Sequence, residues 1–157
     1  MPVRAEHDRV VLAGLLGRDP WLYAYQLGDL DEFFWPYTSW FRRGDAVALL
    51  YHGALPPTLL ALARPADVGE LAALVGELAP VLPARLQAHL SPGVEAALRG
   101  SFRVASSGAH LKMALTAPDR LAAVEPAGEL LGRAQLPRCG CTSGWASAGW
   151  PTTGSSS

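Results

Sequence analysis

Thr38-Ser39-Trp40-Phe41-Arg42-Arg43-Gly44-Asp45-Ala46-Val47-Ala48-Leu49-Leu50-Tyr51-His52 reads as two strands folded about a Gly-Asp turn. Past the Pro56-Pro57 pair, Thr58-Leu59-Leu60-Ala61-Leu62 reads as a third strand. Its unbroken apolar run is what a central strand covered on both faces requires. The stretch from Ala46 to Ala63 is uncharged and nearly long enough to cross a bilayer. His52, Gly53 and the two prolines would break a spanning helix in its middle, so strands joined by a turn explain it better.

On the N-terminal side, residues 6–17 read as a helix with Val10, Val11, Gly14 and Leu15 on its apolar face. Asp19-Pro20 supplies an N-cap and a first-turn proline for a second helix, whose buried face would be Trp21, Leu22, Tyr25 and Gly28. A loop from Asp29 to Pro36 leads into the strands. On the C-terminal side, residues 67–79 form the best helix in the chain, with Asp67 and Glu70 as a capping box and Pro80 as its stop. Residues 84–89 follow as a short strand, and Ser91-Pro92 opens a helix to about Leu98 with Gly100 beyond it. Residues 102–105 and 110–116 read as a hairpin, because Leu111, Met113 and Leu115 alternate with His110, Lys112 and Ala114. The expected order is ααβββαβαββ, an α/β (α+β) domain with a mixed, mostly antiparallel sheet and helices on both faces.

The chain has 157 residues, half of them hydrophobic, and a formal net charge of -1. That supports one well-packed domain and removes the electrostatic case for a nucleic-acid partner. The apolar run from Val10 to Leu16 fails as a signal peptide, since Glu6 and Asp8 spoil its leader and Arg18-Asp19-Pro20 stands where small residues belong. A cytoplasmic protein without a membrane partner is expected. The chain has no Ile and no Asn, and Lys112 is its single lysine, which points to GC-rich coding DNA. From Pro137 to Ser157 there is no Val, Leu, Ile, Met or Phe and no carboxylate. Such a mix of Arg, Pro, Gly, Cys, Ser and Trp is what out-of-frame GC-rich DNA yields. The domain is expected over 1–124, a linker over 125–136, and a disordered, out-of-frame tail over 137–157; a natural low-complexity tail is the alternative.

The order of elements, the segment Leu22 to Phe41 with its Tyr-Gln-Leu-Gly-Asp-Leu-Asp stretch, Tyr51-His52-Gly53 and His110-Leu111-Lys112-Met113 resemble the N-terminal half of two-domain GNAT N-acetyltransferases. That family runs strand, two helices, three antiparallel strands, helix, strand, helix, two strands, and this chain follows it over about residues 5–117 without the first strand. The resemblance implies a degenerate GNAT-like domain that precedes a second, acetyl-CoA-binding domain. A working GNAT domain holds the pyrophosphate of acetyl-CoA with backbone N–H groups of an R/Q-x-x-G-x-G/A loop at a helix N-terminus. The corresponding stretch here is Arg64-Pro65-Ala66-Asp67-Val68-Gly69. Arg64 and Gly69 fit, Asp67 replaces the first glycine, and Pro65 has no N–H to donate. A carboxylate capping that helix would repel a phosphate, so no acetyl-CoA site is expected in this chain, although the intact enzyme would use that cofactor.

Few residues offer chemistry of their own. Tyr51 and His52 at a strand end are the catalytic candidates, His89 and His110 being weaker ones, and none has a carboxylate or cysteine at metal-ligand spacing. Asp29, Asp31 and Glu32 form an acidic cluster that reads as a solvated connection. Cys139 and Cys141 lack a second ligand pair for zinc. The aromatic residues Phe33, Phe34, Trp35, Tyr37, Trp40 and Phe41 divide between the core and an apolar surface for a partner domain. Two other readings stand beside the acetyltransferase half. One is a non-catalytic module that binds a partner or forms a homodimer through its aromatic surface. The other is a domain that holds an acyl-CoA through an unorthodox loop.

Overall fold

The computed structural model describes residues 2–113, 115 and 117. Along them run β1 (Arg4–Ala5), α1 (Arg9–Leu16), α2 (Ala24–Gly28), β2 (Thr38–Arg43), β3 (Ala46–Tyr51), β4 (Thr58–Ala61), α3 (Val68–Leu78) and β5 (Gln87–Leu90). The five strands lie side by side in chain order in one sheet. Neighbours from β1 to β4 are antiparallel, and β5 runs parallel to β4. The chain is therefore a mixed α/β protein with a mostly antiparallel sheet. Among the described residues no helix is long and apolar enough to cross a membrane.

Period-two alternation sorts the core into two layers. Ala48 and Leu50 of β3, with Leu59 and Ala61 of β4, face α3 and pack on Leu71, Leu74, Val75 and Leu78. Val47 and Leu49, with Leu60 and Trp40, face the other way and meet Leu12 and Leu16 of α1. An apolar run without polar interruption is thus what β3 and β4 need, because helices cover both sides. Gly44 makes the β2–β3 turn with φ +55°, and the Glu70 carboxylate lies where a Cβ would stand. A side chain there would be strained by the left-handed backbone and would require the Glu70 carboxylate to move aside. At the far end Ser91 joins the parallel pair. Its hydroxyl donates to the Ala63 carbonyl at 3.0 Å and accepts from the Ala63 N–H at 2.9 Å.

Several expectations need correction. The first strand is present as β1, too short to carry a hydrophobic period. It is held by pairing with Arg42 and Phe41 and by Glu6, whose carboxylate lies 3.5 Å from Arg4 and 3.4 Å from Arg42. α1 is capped by Asp8, whose carboxylate accepts from the N–H groups of Val10 and Val11. It buries Leu12 and Leu16 and leaves Val10 81% exposed, so its face is turned from the expected one; each residue along a helix rotates the face by about 100°. Asp19 does accept from the Leu22 N–H at 3.2 Å, yet regular helix begins only at Ala24. The buried residue of α2 is Gln26, while Trp21 and Tyr25 are exposed. Residues 94–98 form a 3-10 turn instead of an α-helix. The expected hairpin is not formed among the described residues. Residues 103–113 are irregular, and Leu111 and Met113 are 90% and 88% exposed. Alternation records which side of a strand wants burial, and no described element lies across from these side chains. Ala114, Thr116, the linker at 125–136 and the tail at 137–157 lie outside the described residues, as do Cys139 and Cys141.

Candidate functional site

The loop from β4 into α3 opens on a cleft of about 520 Å³ between Leu15 and Arg18 at the end of α1, Tyr23, the Gly44–Ala46 turn and the first turn of α3. Two ion pairs lie within it. Arg18 lies 2.5 Å from Asp45, and Arg64 Nε lies 3.0 Å from the Asp67 carboxylate. The expected capping box is absent: Asp67 makes no side-chain bond to the helix, and its carboxylate turns back to Arg64. The reason is local, since Pro65–Asp67 coil into a 3-10 turn closed by the Asp67 N–H donating to the Arg64 carbonyl at 2.9 Å. That turn places the two side chains together.

Two effects therefore bear on whether a pyrophosphate could be held here. An exposed i,i+3 ion pair is worth only about 0.5 kcal/mol, so a phosphate could compete with it for Arg64. The backbone donors weigh more. Pro65 has no N–H, and that of Asp67 is engaged within the turn. Space is not the obstacle, because a Cβ at Gly69 would meet nothing within 4 Å. Tyr23 reaches into the same cleft. Burial and then the Asp67 carboxylate push its phenol above the ordinary value, Arg64 opposes them, and Asp19 adds to the rise. A phenol so placed stays protonated and can donate a hydrogen bond, but it cannot serve as a base near neutral pH.

Tyr51 and His52 do not form one site. Neighbours along a strand leave from opposite faces. Tyr51 turns toward Phe34 at a ring separation of 6.4 Å and folds over Gly53, where a Cβ would collide with its hydroxyl. His52 lies on the other face, and its Nε2 is 2.9 Å from the Ser39 hydroxyl. Its N–H donates to the Tyr37 carbonyl at 2.7 Å. Ser39 was not singled out by its sequence context, since a serine opening a strand carries no signal of its own. The pair is exposed, and among the described residues no carboxylate orients the imidazole, so a nucleophile–base–acid array is not assembled there.

His89 sits exposed on edge strand β5, and His110 in the irregular segment. In the acidic cluster Asp31 caps its own turn by accepting from the Phe33 N–H at 2.9 Å, and burial raises the pKa of Asp29 from its ordinary value. Among the described residues no group of three His, Cys, Asp or Glu side chains could hold a metal ion. The aromatic run divides as its composition suggests. Trp40 is buried with Trp35 stacked on it at 6.2 Å, whereas Phe33, Phe34 and Tyr37 are exposed. No protein-family model, curated protein or solved structure gives a significant match to the chain.

Proposed function

We propose that this chain is the N-terminal, GNAT-like lobe of a cytoplasmic, two-lobed acetyl-CoA-dependent N-acetyltransferase, and that the lobe lacks an acetyl-CoA site of its own. The order strand, two helices, three antiparallel strands, helix and parallel strand carries this reading. It follows the resemblance through β5 and includes a first strand that the sequence does not reveal. The Arg64-Asp67 turn supports the second half of the proposal, because two of the backbone donors a pyrophosphate would need are absent or engaged. In the intact enzyme the second lobe supplies the thioester and the backbone N–H groups that hold the oxyanion during attack by an amine. This lobe packs beside it and walls the acceptor cleft. The test is to translate the DNA downstream of codon 125 in all three frames, produce the two-lobed protein, and assay acetyl transfer to a panel of amines. Activity that needs both lobes supports the proposal. A second lobe that is equally active without residues 1–124, or no such lobe in any frame, overturns it.

A non-catalytic interaction module is favoured by one observation, the exposed aromatic group Trp21, Tyr25, Phe33, Phe34 and Tyr37. Sedimentation of this chain separates the readings. A concentration-dependent homodimer that weakens when Phe33 and Tyr37 become serine belongs to a module, and a monomer belongs to a lobe.

A further inference from the structure

Lys112 is the single lysine of the chain, all other cationic side chains being arginine. Its Nζ donates to the Leu22 carbonyl and stands 4.7 Å from the centroid of the Tyr25 ring. Burial lowers the Lys112 pKa from its ordinary value, and the Asp19 carboxylate, which accepts from the Leu22 N–H, opposes that shift. Leu111 and Met113 on either side are almost fully exposed, so it is through Lys112 that this extended stretch meets α2. A carbonyl acceptor and an aromatic face are together elements that recognise a compact cation. A guanidinium is planar and seeks a fork of acceptors, whereas a lone carbonyl beside a ring suits a point-like ammonium with rotatable donors.

We propose that the Leu22 carbonyl and the Tyr25 ring form a binding site for a primary ammonium carried on an extended peptide, that is, a lysine side chain, and that Lys112 occupies it in cis. The site stands on its own residues and does not rest on the acetyltransferase reading. Occupation in cis gates it, because a tethered group acts at an effective concentration on the order of millimolar. A lysine from another chain enters only when it exceeds that level or when residues 103–113 are drawn away.

The probe is the capped peptide acetyl-Leu-Lys-Met-amide, added to the full chain while the Tyr25 ring resonances are followed by NMR. Lys112→Met keeps the apolar stem and removes the ammonium, and Lys112→Gln is the second variant should the first fail to fold. The expected result is a saturable shift of Tyr25 in the variant, with an apparent affinity at least about tenfold weaker in the wild type. The shift vanishes when norleucine replaces the lysine of the peptide. No saturable shift in either folded variant overturns the proposal. So does equal binding by wild type and variant, or equal binding of the norleucine peptide.

Discussion

The two faces of the sheet are built differently. The α3 face is closed by aliphatic side chains, with Leu59, Leu71, Leu74, Val75 and Val94 all buried in one cluster. The α1–α2 face has a smaller cluster around Leu12, Leu16 and Trp40, a fully buried Gln26 whose amide has no hydrogen-bond partner among the described residues, and exposed aromatic rings at its margin. One face is finished by the chain's own residues. Among the described residues the other ends in exposed aromatic rings, the surface that the proposed second lobe would cover. The larger aliphatic cluster therefore lies on the α3 side and the exposed rings on the α2 side.

The largest effect that would sharpen this contrast is on the α3 face. Leu74→Ala is expected to cost about 3 kcal/mol in chemical denaturation, since the closed cluster cannot collapse around the cavity. A loss under about 1 kcal/mol would mean that this face is loosely packed. Ser91→Ala strips both partners from the buried Ala63 amide and carbonyl and should cost about 2 kcal/mol by the same measurement. On the other face the sign reverses. Gln26→Leu removes an unpartnered buried amide and should stabilise by about 1 kcal/mol. If the protein is instead destabilised, Gln26 has a partner and the contrast breaks.

Much of the α3 face was legible because β3, β4 and α3 declare themselves by unbroken or periodic apolar runs closed by glycine and proline. The α2 face was not. Trp21 and Tyr25 are large and apolar, so helical spacing assigns them to the core, yet the fold buries Gln26 and turns the rings outward. β1 escaped notice because two residues cannot show a period. The loop Arg64 to Gly69 was legible as a departure from the phosphate-binding pattern, but its cause was misplaced. The Asp67 carboxylate pairs with Arg64 and does not cap the helix. Tyr51 and His52, adjacent in sequence, are parted by the alternation of the strand that carries them.

Smaller effects belong to the exposed margin. Phe33→Ser should change stability by less than about 0.5 kcal/mol while lowering the binding of an apolar dye; a larger loss of stability would return Phe33 to the core. The weakest expected effect is on pH. Burial raises the pKa of Asp29 in the folded state above its unfolded value. Its contribution is then fully present below the unfolded pKa and is lost as pH rises through the folded one. Asp29→Asn should flatten the stability profile over that acidic window, and an unchanged slope in acid titrations would remove Asp29 from the account.

Calorimetric titration of acetyl-CoA into the chain tests most directly the proposal that it is a lobe without an acetyl-CoA site of its own. The account predicts no saturable heat at millimolar ligand. Saturable binding that Arg64→Ala abolishes would contradict it, and would make the turn between β4 and α3 a phosphate site after all.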